Sequence, residues 1–98
     1  MIKHIVFWEI KDELDKNQVY FRMKEKLEGL QGAIPGLLSA EVGFNINDGE
    51  MNVCLYSTFE SNGALSLYQT HPKHMAVKKY VHSVVKARNC VDYAIDKD

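Results

Sequence analysis

Residues Ile2–Ile10 alternate clearly enough to define two faces, and both hold bulky apolar groups. Ile2, His4, Val6, Trp8 and Ile10 share one face; Lys3, Ile5, Phe7 and Glu9 share the other. Aromatic and β-branched residues at this density predict a strand. Bulk on both sides predicts that both faces are covered. Over residues 15–31 the period lengthens: Val19, Met23, Leu27 and Leu30 recur at spacings of four, four and three. That is the stripe of an amphipathic helix, with Asp15 as its N-cap and Ile34-Pro35-Gly36 as its stop. Alternation returns over 37–46, where Leu38, Ala40, Val42, Phe44 and Ile46 oppose Ser39, Glu41, Gly43 and Asn45. Asn47-Asp48-Gly49-Glu50 reads as a hairpin turn. A returning strand over 52–59 follows, with Val53, Leu55 and Phe59 on one side. Ser61 caps a helix carrying Ala64, Leu65 and Tyr68. Pro72 fits the first position of a new helix, predicted to run to about residue 81 with His74, Val77 and Val81 facing inward. A last strand is predicted over 87–96, with Val91, Tyr93 and Ile95 alternating against Asn89, Cys90, Asp92 and Ala94.

The resulting order, β-α-β-β-α-β, is that of an α+β ferredoxin-like protomer with a four-stranded antiparallel sheet. Residues 1–98 read as one domain. Two helical segments can cover only one face of such a sheet. The simplest cover for the other is a second copy, because closed two-fold pairing is the commonest oligomeric arrangement. The expectation is a homodimer formed through the sheet face, with an apolar space between the sheets.

Composition narrows the function classes. The 98 residues are 46% apolar and 26% charged, which suits a folded chain and argues against disorder. Twelve Lys+Arg against thirteen Asp+Glu leave a formal charge of −1, so a nucleic-acid partner is not expected. The longest early apolar run, residues 5–8, is too short for a signal-peptide core or a membrane span, so no membrane partner is expected either. Cys54 and Cys90 lie far apart in strand-like segments and read as buried structural thiols, with cytoplasmic residence as the default. No Gly-rich phosphate loop, nucleophile elbow or paired Cys/His signature is present, and no cofactor or metal is expected.

The chemistry-bearing residues cluster in Tyr68-Gln69-Thr70-His71-Pro72-Lys73-His74, with His4 on the Val6–Trp8 face of the first strand. Taken singly, each has an ordinary role. His4 packs as a core imidazole, Tyr68 as a core aromatic, and His71 caps the turn before Pro72. Lys73, Lys78 and Lys79 read as a solvated helix face, with an anionic ligand tail as the other reading. Taken together they suit acid–base work. A histidine accepts a proton near neutrality, and a tyrosine stays protonated and donates to a carbonyl oxygen. Such a pair can remove a proton alpha to a carbonyl and hold the enolate.

The chain resembles the stress-responsive dimeric α/β-barrel (Dabb) family. The residues that carry this are Met1-Ile2-Lys3-His4-Ile5-Val6, Ile34-Pro35-Gly36, Phe59-Glu60-Ser61, the stretch from Tyr68 to His74 and Val91-Asp92-Tyr93. The resemblance implies a dimer whose two sheets pack into a barrel. By motif position it places a general base on His74 and a substrate-orienting tyrosine on Tyr68, with His4 lining the cavity. Val6, Trp8, His71 and Val77 complete the expected binding set. Two functions follow as expectations. One is a stress-responsive dimer binding a small hydrophobic ligand. The other is a cofactor-free, polyketide-cyclase-like lyase or isomerase acting on a small hydrophobic carbonyl compound. Trp8 and the charged Lys24 and Lys26 depart from the plant cyclases of the family, and a bulky Trp8 takes up volume a long substrate tail would need.

Overall fold

The computed structural model describes residues 1–95 of the chain. Its elements are β1 (Ile2–Ile10), α1 (Lys16–Glu28), β2 (Leu37–Phe44), β3 (Val53–Phe59), α2 (Asn62–Thr70), α3 (Pro72–Val84) and β4 (Val85–Ala94). The strands form one sheet in the order β2-β3-β1-β4, with β1 antiparallel to both β3 and β4 and β2 antiparallel to β3. This is the ferredoxin-like arrangement expected from the element order.

Each element ends for a local reason. The Asp15 carboxylate accepts from the Gln18 N–H at the start of α1, and Ser61 Oγ accepts from the Ala64 N–H at the start of α2. His71 closes α2 and opens α3: its N–H donates to the Tyr68 carbonyl, and its Nδ1 accepts from the Lys73 N–H at 3.1 Å. Pro72 sits in the first turn of α3, where no N–H is needed. Gly36 turns the chain into β2 with φ +87°, and an added Cβ would lie 2.6 Å from the Ala64 Cβ, so both the dihedral and the close approach require glycine.

Three boundaries differ from the alternation. A bulge between Leu37 and Ser39 puts Leu37 in the core and leaves Leu38 exposed, reversing the expected face of Leu38. β2 stops at Phe44, so Ile46 lies in the hairpin loop, fully exposed. α3 continues one turn past the predicted end, because Val81 and Val84 extend its buried stripe, and β4 starts at Val85. Asp96, the predicted end of that strand, lies outside the described residues. Cys54 and Cys90 are free thiols and half-buried rather than buried.

The helices cover the even-numbered face of β1. One core cluster joins Val6, Trp8 and Ile10 to Val19, Met23 and Leu27 of α1; a second joins Ile2 and Phe59 to Leu30, Ile34, Leu65 and Tyr68. α1 also closes the β2 edge. Glu28 accepts the Val42 N–H at 2.9 Å, Lys24 Nζ donates to the Val42 carbonyl at 2.8 Å, and Gln31 accepts the Ala40 N–H at 3.1 Å. Backbone groups that an edge strand would offer to another chain are thereby occupied. The charge of Lys24, out of place on a cavity-facing helix, serves this edge and a 2.7 Å bridge to Glu28.

Candidate active site

The break at His71-Pro72 builds the site. Residues six apart on a continuous helix lie about 120° apart around the axis, so Tyr68 and His74 would diverge. Here Tyr68 ends α2 and His74 begins α3, and their rings lie 4.1 Å apart between centroids with a 33° tilt. Phe59 supports Tyr68 edge-on at 4.9 Å, and His4 meets both rings edge-on at 6.1 and 6.2 Å. His4 reaches them because β1 is central and its even-numbered positions face the helices.

These residues border a cavity of about 270 Å³ between the sheet and its own helices. Val6, Trp8, Leu27, Leu55 and Val81 form an apolar floor; His4, Tyr68 and His74 supply polar groups; Gln69, Lys78, His82 and Arg88 form an exposed rim. The expected site residues thus gather between the sheet and its own helices rather than on the face where a second sheet would pack, and the reason is geometric: the even face of β1 packs on the helices, and the odd face points away. A larger depression of about 420 Å³ at the hairpin end, near Phe7, Phe44 and Met51, carries no acid–base group besides the Cys54 thiol.

Of the expected residues, the structure brings His4, Val6, Trp8, Tyr68 and His74 to the cavity. His71 and Val77 are not among its lining residues. His71 is engaged as the helix cap, and Val77 packs against both core clusters.

Electrostatics set the two ring systems apart. Burial pushes the Tyr68 hydroxyl up to about 12, so it stays protonated. Burial lowers His74 below the ordinary histidine value; its hydrogen bond to the Gln69 carbonyl opposes this, and the positive charges of Lys78, His4 and Arg88 reinforce it. A carbonyl only accepts, so His74 Nδ1, 3.4 Å from that oxygen, carries the proton and leaves Nε2 as the base. His4 Nδ1 donates to the Asp92 carboxylate, its direct cross-strand partner. Every fully buried side-chain N or O among the described residues has a hydrogen-bond partner. His4 Nε2 and the Tyr68 hydroxyl have no protein partner among these residues, so both must open onto the cavity.

Asp92 is the residue that sequence reasoning missed. Its signals were its place in the last strand and in the Val91-Asp92-Tyr93 stretch of the resemblance; neither gives it a role, because its meeting with His4 depends on the β1–β4 register. Cys90 lies beside them, 3.7 Å from His4 Nδ1 and 3.6 Å from Asp92 Oδ1. His4, Cys90 and Asp92 are residue types that can hold a metal ion. Burial and then Asp92 raise the Cys90 thiol, disfavouring the thiolate, and the carboxylate already takes the imidazole proton. The arrangement as it stands is a carboxylate orienting a histidine.

Comparison with known proteins now bears on this geometry. The family model of the stress responsive A/B barrel domain (Dabb) matches residues 2–95. The chain belongs to the Dabb family. A dimeric ferredoxin-like protein of unknown function from Bacteroides fragilis is 36% identical, with a TM-score of 0.85, over 94% of this chain and 93% of that one. A dimeric ferredoxin-like protein of unknown function from Thermobifida fusca is 24% identical, with a TM-score of 0.84, over 96% and 90%. The hydroxynitrile lyase of Passiflora edulis shares the fold at 18% identity, with a TM-score of 0.85, over 99% and 94%. No curated protein matches the Dabb chain by sequence.

Proposed function

We propose that this Dabb protein is a cofactor-free enzyme that binds a small hydrophobic carbonyl compound and performs acid–base chemistry alpha to the carbonyl. The observation that carries this is the convergence of the Tyr68 hydroxyl, His74 and His4 Nε2 on one cavity with an apolar floor. A non-catalytic binding protein would not need an unpaired phenol beside a neutral imidazole. The cavity favours the cyclase-like reading over simple ligand storage, and a fold neighbour that is a lyase supports it.

The steps follow from the residues. His74 Nε2 removes the alpha proton, and the Tyr68 O–H donates to the carbonyl oxygen as it becomes an enolate oxygen. The enolate carbon then attacks a second carbonyl of the same molecule, closing a ring and leaving an alkoxide to be protonated, or a conjugated enolate is protonated at its remote carbon, giving an isomer. Protonated His74 returns the proton to the product. His4, held by Asp92, contacts the substrate's polar end. The water-poor floor strengthens the Tyr68 hydrogen bond as charge develops, and a positioned base contributes about 10²–10⁴-fold in rate. With Trp8 and Leu55 closing the floor, the volume suits a compact substrate rather than a long-tailed one.

The same reading includes a homodimer through the odd-numbered sheet face, as in the dimeric neighbours from Bacteroides fragilis and Thermobifida fusca. The chemistry is tested by proton–deuterium exchange at the alpha carbon of activated β-keto compounds, followed by NMR. Wild type should accelerate exchange, His74→Ala should lose about 10²–10⁴-fold of it, and Tyr68→Phe should lose a substantial part. Exchange unaffected in His74→Ala would leave a non-catalytic ligand-binding protein.

A further inference from the structure

We propose that the ligand is an organic acid, and that Lys78 and Arg88 form a carboxylate site at the mouth of the cavity. The inference rests on the reading above for the ligand's carbonyl, and on separate observations for its charge. The chain as a whole has slightly more acidic than basic residues, yet the cavity lining contains Lys78, Arg88 and three histidines and no Asp or Glu. Asp92 stands behind His4, outside the lining, and is engaged there. Three lysines find carboxylate partners: Lys24 pairs with Glu28, Lys16 with Asp12, and Lys86 with Glu9 and Asp12. Among the described residues Lys78 and Arg88 have no ion pair, as is also true of Lys11, Lys73 and Lys79; what sets the two apart is their place in the cavity lining.

Their placement is also opposed. Lys78 projects from α3, whereas Arg88 lies on β4 directly across from Trp8, so the two cations come to the opening from different layers. A ligand with its apolar body on Val6, Trp8 and Leu55 would leave its charged end between them, still partly in water. Desolvation of that end is then small, while the guanidinium offers a planar fork matched to a carboxylate. The one-signed rim also raises the local concentration of anions and speeds their encounter.

Trp8 is the only tryptophan, and it lines the floor, so its fluorescence reports occupancy without any turnover. The full-length protein is titrated at neutral pH with cyclohexanecarboxylate, cyclohexanecarboxamide and cyclohexyl phosphate. The carboxylate should bind about tenfold more tightly than the amide, and added salt should erode the difference. The Lys78→Gln/Arg88→Gln double variant, altered at two exposed positions, should lose that preference, bind the amide as wild type does, and unfold at the wild-type temperature. Equal binding of acid and amide, a preference that survives in the double variant, a response to the phosphate ester alone, or no Trp8 response to any of the three overturns the proposal. His74→Ala run in parallel separates the claims: it should lose about 10²–10⁴-fold of the exchange rate but keep the preference for the acid.

Discussion

Along β1, Ile2, His4, Val6, Trp8 and Ile10 are no more than 5% exposed, whereas Phe7 on the opposite face is 39% exposed. The contrast deepens on β4, where Val91 and Tyr93, neighbours of that outer face, are 59% and 44% exposed. One face is finished by its own helices and holds the cavity. The other carries Ile5, Phe7, Val91 and Tyr93 beside the charged Lys3 and Glu9 and is covered by nothing among the described residues. Two faces that both hold bulky apolar groups thus differ in what covers them. The inner one holds the core and the cavity, and the outer one is where a second copy would bury apolar surface. Substitutions divided between the faces should therefore separate stability from association.

The largest effect belongs to the inner face. Phe59 is fully buried and braces both His4 and Tyr68 edge-on. Phe59→Ala should cost about 3–5 kcal/mol of stability in urea unfolding and slow the exchange chemistry as well. Phe7→Ala, measured at dilutions where any dimer has dissociated, should cost less than about 1 kcal/mol, since a half-exposed ring forfeits only part of its burial. Equal losses at the two positions would mean that the outer face is packed within the protomer after all.

A smaller effect, on association rather than folding, belongs to the outer face. Ile5 on β1 stands between Tyr56 and Val91 in the register, near the middle of the uncovered surface. Val91→Glu places a charge there and should weaken the proposed dimer by about a hundredfold or more in sedimentation, with the protomer's unfolding midpoint little changed. Wild type should sediment as a dimer at micromolar concentration, and a stable wild-type monomer would remove the dimer from the reading. Because the cavity lies on the helix-covered face, opposite the one that carries Ile5 and Val91, the Val91→Glu monomer should still show a Trp8 response to ligand.

The division between faces also explains what could be read from sequence. Strand and helix identity followed from period, caps and the Pro72 break, because each is a local property. The Tyr68–His74 pair was legible for the same reason: both residues flank a turn whose chemistry is written in adjacent positions. Alternation in β1 announced two apolar faces but could not say which one the helices would take, and the cavity was expected between two sheets for that reason. Asp92 and Arg88 needed long-range register, since nothing local tells that they stand opposite His4 and Trp8. Lys78 reads as part of an ordinary wet helix face, and only the packing of α3 over the sheet brings it and His82 to the cavity rim.

The smallest effect concerns pH, and it tests whether the inner face sets its own chemistry. His74 must be neutral to act as a base. Burial lowers it from the ordinary value of 6.5, with the charges of Lys78, His4 and Arg88 adding to burial against the Gln69 hydrogen bond. The exchange rate should hold as pH falls through 6.5 and decline only below it. Lys78→Gln removes one of the lesser causes, so it should move that acid limb upward, toward 6.5. The same group links to stability with a definite sign. The unfolded chain takes up a proton on His74 first, so part of the folding free energy is lost as pH falls from about 6.5 toward the lowered folded value, and His74→Ala should flatten that slope. Tyr68 acts at the other end: its folded value of about 12 exceeds the ordinary 10.0, so its contribution is intact below pH 10 and is lost only as pH rises from 10 through 12. No alkaline limb from Tyr68 should therefore appear in the exchange rate below pH 10. An acid limb at or above 6.5 in wild type would show that the base is an ordinary, solvated imidazole rather than one enclosed between the sheet and α3.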